Sequence, residues 1–108
     1  MRQIKFRAWN DIDKMMIDWG LLKASPILFM NIIKGKVKHH RLIQFTGLQD
    51  KNGVDIYESM EIDGTHNVKF KNGSYVLIDI SSGDIVLLHT YIESRSGNVK
   101  ITREYTEI

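Results

Sequence analysis

Four clusters of turn-forming residues punctuate the second half of the chain: Asp50-Lys51-Asn52-Gly53, Lys71-Asn72-Gly73-Ser74, Ser81-Ser82-Gly83-Asp84 and Ser94-Arg95-Ser96-Gly97-Asn98. Two of them contain Asn-Gly. Between alternating segments this dipeptide marks a tight hairpin, because both residues tolerate the positive φ of a type I′ turn. The intervening stretches are Val54 to Tyr57, His66 to Phe70, Tyr75 to Ile80, Ile85 to Ile92 and Val99 to Tyr105. Short strands at regular spacing predict a mainly β fold, a small antiparallel barrel or sandwich with little helix.

The first half carries the same period of two less cleanly. In Gln3 to Trp9, Ile4, Phe6 and Ala8 alternate with Lys5 and Arg7, the pattern of a half-buried strand. Asn10 to Lys14 supplies turn formers, and Met15 to Trp19 is expected to return as the second arm of an N-terminal β-hairpin ending at Gly20. Asp18 interrupts that arm. Residues 21 to 33 fit neither template: Ser25-Pro26 either opens a short helix with proline in its first turn or bends the chain before a short strand. Lys34-Gly35-Lys36 reads as a turn into a strand over Val37 to Phe45.

Length limits what can be built from these elements. A chain of 108 residues buries roughly two-thirds of its unfolded surface, enough for one modest core, so a single domain over residues 1–108 is expected. With no cysteine there is no disulfide framework, thiolate metal site or thiol nucleophile. Charges inside the N-terminal stretch and the lack of a long apolar run argue against a signal peptide or membrane anchor. The net charge of +2 conceals an asymmetry: residues 1–49 carry nine Lys/Arg against three acids, whereas residues 50–108 carry six against ten. That split suits an acidic partner for the first half, or the meeting of opposite halves within one chain or between copies.

Two segments point further. The opening Arg-Gln-Ile-Lys-Phe-Arg-Ala-Trp-Asn and residues 42 to 58, Leu-Ile-Gln-Phe-Thr-Gly-Leu-Gln-Asp-Lys-Asn-Gly-Val-Asp-Ile-Tyr-Glu, resemble the YopX family of phage and prophage proteins. The resemblance covers residues 1–9 and 42–58 firmly and Val68 to Ile80 loosely. It implies a mainly β fold with an SH3-like barrel portion in the second half, encoded by a mobile element and acting in the cytoplasm of a bacterial host. It implies no reaction. Where the family continues after Tyr-Glu with Gly-Asp and an aliphatic pair, this chain has Ser59-Met60-Glu61-Ile62-Asp63. The family's usual ending is absent from the last 20 residues. Physically the shared motif reads as architecture: Thr46-Gly47 as a tight turn, Asp50 to Gly53 as another, and Phe45, Leu48, Ile56 and Tyr57 as core.

The most suggestive chemistry lies in Lys34, Lys36, Lys38, His39, His40 and Arg41, since no acid separates Asp18 from Asp50. On a strand Lys36, Lys38 and His40 would share one face and could track a phosphate backbone. Edge strands also carry Lys merely to discourage pairing. Trp9 and Trp19 could offer stacking platforms beside these cations, or simply fill a core. His39 and His40 point to opposite faces of a strand, and His66 and His89 are distant singles, so no metal site is expected. The acids Asp11, Asp13, Glu58, Glu61 and Asp63 lie in or beside turns, which they ordinarily cap. No Walker loop, dinucleotide fingerprint or nucleophile elbow occurs.

Neither catalysis nor a cofactor is therefore expected. The leading expectation is an accessory protein acting through contacts with itself or with a host or phage protein. Ile85-Val86-Leu87-Leu88 supports it, because consecutive apolar residues on a strand demand burial on both faces, which an oligomer provides. The alternative is a nucleic-acid-binding module using Lys34, Lys36, Lys38, His40 and Arg41.

Overall fold

The computed structural model describes residues 3–106, which hold nine strands and three short helices. The fold is mainly β, with antiparallel pairing. No helix among the described residues is long and apolar enough to cross a membrane. The chain divides into two compact units, Met1–Phe45 and Thr46–Ile108.

In the first unit the expected hairpin forms from β1 (Phe6–Asn10) and β2 (Met15–Ile17), paired from Ala8↔Ile17 to Asn10↔Met15. Asn10 builds the turn, its Oδ1 accepting the backbone N–H groups of Ile12 and Asp13 at 3.0 and 3.1 Å. The second arm stops two residues short of Trp19. Asp18 adopts extended backbone and its carboxylate accepts the Leu21 N–H at 3.1 Å, capping α1 (Trp19–Ala24). After Ser25, Pro26 occupies the first turn of α2 (Pro26–Ile33), where its missing N–H costs nothing. The helical alternative at Ser25-Pro26 is the one realised. Ala8, Leu22 and Ile32 form the buried centre of this unit, wrapped by Phe6, Ile17, Trp19, Leu28, Val37 and Leu42.

A Schellman motif ends α2: the Lys36 N–H reaches Asn31 O at 2.9 Å, and the N–H of Gly35, at φ +71°, reaches Ile32 O. The strand expected over Val37 to Phe45 begins only at His40, because His39 sits at φ +66° and breaks the extended run. The resulting β3 (His40–Gln49) pairs with β1 from Phe6↔Gln44 to Asn10↔His40.

In the second unit β3 has β4 (Asp55–Tyr57) as its neighbour. A five-stranded sheet runs in the order β8-β7-β6-β5-β9, from β5 (Glu61–Ile62), β6 (His66–Lys71), β7 (Ser74–Asp79), β8 (Ile85–Leu87) and β9 (Ile101–Arg103). Asn72-Gly73 makes the expected turn, with φ of +51° and +83°, and sets the β6–β7 register through Lys71↔Ser74. Asp63 and Gly64, both at positive φ, lie in the three-residue loop that joins β5 to β6, where the Thr65 N–H reaches Ile62 O at 3.1 Å and Ile62 pairs with His66. Val68 and Leu77 face each other across the ladder and are fully buried, as is Ile62.

Two expectations fail here. Ile85 to Ile92 is not one strand: β8 ends at Leu87 and α3 (Leu88–Ser94) follows, burying Leu88 and Tyr91 three residues apart on one helical face. Val99 to Tyr105 shortens to β9, whose register against β5 shifts at Glu61/Ile62. Within the single chain, the consecutive apolar residues Ile85 to Leu88 are not all buried. Ile85 and Leu87 remain 54% and 41% exposed, because β8 lies at the sheet edge and only its other face meets the core.

Candidate functional site

The basic segment does not form the row of cations that a strand would give. Lys34 caps α2, while Lys36 and Lys38 lie in the loop that follows. His40 and Arg41 open β3. Period-two alignment of Lys36, Lys38 and His40 is lost with the strand, and the His40 ring Nδ1 lies 3.0 Å from the Lys38 carbonyl oxygen. The four Lys/Arg side chains are nonetheless exposed. Their surroundings are less uniformly basic than the linear order suggests, since Asp11 donates its N–H to His39 O at 2.8 Å. Trp9 stands opposite Arg41 in the β1–β3 ladder and is half-buried. Trp19 meets Phe6 and Phe29 at 5.9 and 5.6 Å between ring centres, which makes it packing material.

The acids near turns act as pins. Asp13 accepts from the Asn10 amide at 3.0 Å, and Asp11 pairs with Lys14 at 3.1 Å. Asp50 is buried and its two oxygens accept three backbone N–H groups: Asn52 at 2.9 Å, Val54 at 3.0 Å and Ile101 at 3.3 Å. Burial pushes this carboxyl up, but the three donors outweigh it and hold the group below the ordinary aspartate value. Thr46 accepts from the Leu48 N–H while its hydroxyl donates to Ile56 O at 2.7 Å. The segment 42–58 is thus architecture, with Phe45, Ile56 and Tyr57 buried and Leu48 half-buried. Thr46-Gly47 is not a turn; it stays within β3, with Gly47 at φ +89° interrupting the regular strand conformation.

A second arrangement was not foreseen from sequence. Within the second unit an open polar recess of about 530 Å³ is lined by Lys51, Arg95 and Lys100, by the hydroxyls of Thr65, Tyr91 and Thr102, and by Asp63 and Asn98. Helix α3 presents Tyr91, and Arg95 follows one turn later at the cap, with its guanidinium 4.3 Å from the Tyr91 ring centre. The His66 ring is a second neighbour, centred 4.9 Å from that of Tyr91 and tilted by 52°. Tyr91 donates its hydroxyl to Asp63 Oδ2 at 2.9 Å, while Asp63 Oδ1 accepts the Lys100 N–H at 2.9 Å. Burial and then the Asp63 carboxylate raise the Tyr91 phenol above its usual value. Thr102 accepts the Gly64 N–H at 2.9 Å and fixes the β5–β6 turn beneath.

Thr65 links this network to His66 through a 2.7 Å hydroxyl–imidazole contact, and the far ring nitrogen lies 3.8 Å from Asp79. Among the described residues no three His, Asp or Glu side chains converge as a metal site. Four separate segments supply the recess, so no local motif announces it. The spacing of Tyr91 and Arg95 is the one signal, and it is visible only once residues 88–94 are recognised as helix.

The crystal structure of protein EF1440 from Enterococcus faecalis shares the fold, with a TM-score of 0.64 over 95% of this chain and 93% of that one at 17% identity. Among curated proteins none matches. The sequence model described as YopX protein matches residues 5–102, taking in both the opening strand and the Phe-Thr-Gly-Leu segment pinned by Thr46 and Asp50. Matched over nearly its whole length, the chain belongs to the YopX family.

Proposed function

We propose that this protein is a non-catalytic accessory module of a phage or prophage, working in the host cytoplasm through protein contacts, first of all with other copies of itself. The observation that carries this reading is the outer face of α2. Ile27, Met30 and Ile33 recur at helical spacing and are 76%, 46% and 52% exposed. Such a face on a short helix is costly in water unless something covers it. The cover of matching chemistry is the β8 edge of another copy, where Ile85 and Leu87 are exposed beside Asp84. Lys34 caps α2 within a unit carrying nine Lys/Arg against three acids, so two α2 faces meeting each other would bring like charges together. Mass measured by light scattering at micromolar concentration should exceed that of one chain; a monomer throughout that range overturns the reading.

Exposure of Lys34, Lys36, Lys38 and Arg41 favours nucleic-acid binding as the second reading. Replacing all four by Ala should then weaken binding of short DNA and RNA regardless of sequence and flatten its salt dependence. Unchanged binding removes those residues from consideration.

A further inference from the structure

We infer that the recess between α3, the β5–β6 turn and β9 binds a small phosphate-bearing ligand through a pair of adjacent phosphoryl groups, as in pyrophosphate or the end of a nucleoside diphosphate. The charge balance of the second unit makes the recess exceptional. That unit holds ten acids against six Lys/Arg, yet three of the six line this one recess and a single acid, Asp63, accompanies them. Both Asp63 oxygens accept hydrogen bonds, from the Tyr91 hydroxyl and the Lys100 N–H, which hold the carboxylate in the wall; its one negative charge still leaves the lining net positive against Lys51, Arg95 and Lys100. Among the described residues no carboxylate forms an ion pair with Lys51, Arg95 or Lys100. Cations gathered against the sign of their own unit, without a carboxylate ion pair, create a local positive potential suited to a compact polyanion.

The kind of anion follows from the side chains. Arg95 packs against the Tyr91 ring, 4.3 Å from its centre, and is exposed, and a guanidinium can donate two parallel hydrogen bonds to one anion. A phosphoryl group matches that fork. Lys51 and Lys100 add point charges from the other walls, and the Thr65 hydroxyl and Asn98 amide supply neutral donors for the remaining oxygens. A recess of about 530 Å³ is large enough for a nucleotide. Tyr91, however, is only 7% exposed and already contacts His66 and Arg95, so it is not an open stacking platform for a base. Recognition therefore rests on the phosphates, and the rest of the ligand extends outward without being read.

Isothermal titration calorimetry of the full chain with sodium pyrophosphate, ADP and GDP tests this. All three should bind at submillimolar concentration with similar affinities and compete with one another, while adenosine should not bind. Arg95→Gln and Lys100→Gln should each weaken pyrophosphate binding at least tenfold, Arg95→Lys should restore only part, and Lys34→Ala with Lys36→Ala should change nothing. Arg95 and Lys100 are exposed, and circular dichroism will show whether each variant keeps its fold; Lys51→Gln provides an independent loss from another segment. Absence of pyrophosphate binding at millimolar concentration overturns the assignment. So does equal loss from the loop lysine variants, or binding confined to an oligonucleotide without terminal phosphates.

Discussion

Asp50 shows how much a single side chain can organise. Its carboxylate closes the 50–54 loop onto itself through Asn52 and Val54 and ties that loop to the strand at Ile101. Since its folded pKa lies below the unfolded one, the unfolded chain binds the proton more readily in acid. The stability it contributes is present above the ordinary value of 3.8 and is lost as pH falls through the folded value. Asp50→Asn should cost about 1–3 kcal/mol near neutral pH by weakening charge-assisted hydrogen bonds, and should flatten the acid decline. Urea denaturation from neutral pH down to about pH 2 checks both, and an unchanged acid slope refutes the assignment. Tyr91 works in the opposite direction. Its raised pKa means that its contribution is complete below 10.0 and lost as pH rises through the folded value. In Tyr91→Phe the alkaline fall should be shallower, and the tyrosinate absorbance should lose one component titrating above the ordinary phenol value.

At the scale of elements, capping decided where strand gave way to helix. Asp18, an interruption when read as strand, is the residue whose carboxylate starts α1. Asp18→Ala should lower stability by about 1 kcal/mol with little change in overall secondary structure, read from thermal melts beside far-ultraviolet circular dichroism. The β6–β7 hairpin was legible because Asn72-Gly73 states its own conformation locally through positive φ. Asp63-Gly64 carries the same chemistry without standing between two well-marked alternating segments, and so passed unnoticed. Ile85 to Ile92 was misread because an unbroken apolar run looks alike in a buried strand and a buried helix. Only the inward positions of Leu88 and Tyr91, a tertiary property, resolve it. The recess was illegible for a related reason: Lys51, Asp63, Arg95 and Lys100 meet only after β5, β9 and α3 have formed.

For the whole molecule, the charge asymmetry read from the sequence falls on a structural boundary. Met1–Phe45 carries nine Lys/Arg against three acids, and Thr46–Ile108 six against ten. Each unit also exposes apolar side chains, among them Ile27, Met30 and Ile33 on α2 in the first and Ile85 and Leu87 on the β8 edge in the second. Self-association that joins α2 of one copy to β8 of the next is heterologous, so it closes into a ring or continues as a chain of copies. Separate variants that block one surface each distinguish this from a twofold contact. Ile27→Asp places an acid in the first turn of α2, where the helix dipole tolerates it, and Ile85→Lys places a cation on an edge strand, where it opposes pairing. Either variant alone should be monomeric by light scattering, because each has lost one of the two complementary surfaces. Mixed together they retain one intact surface of each kind and should form a one-to-one pair that grows no further and weakens with salt. If instead the Ile27→Asp protein still forms a dimer by itself while the Ile85→Lys protein does not, the contact is between two β8 edges and the head-to-tail assembly is wrong.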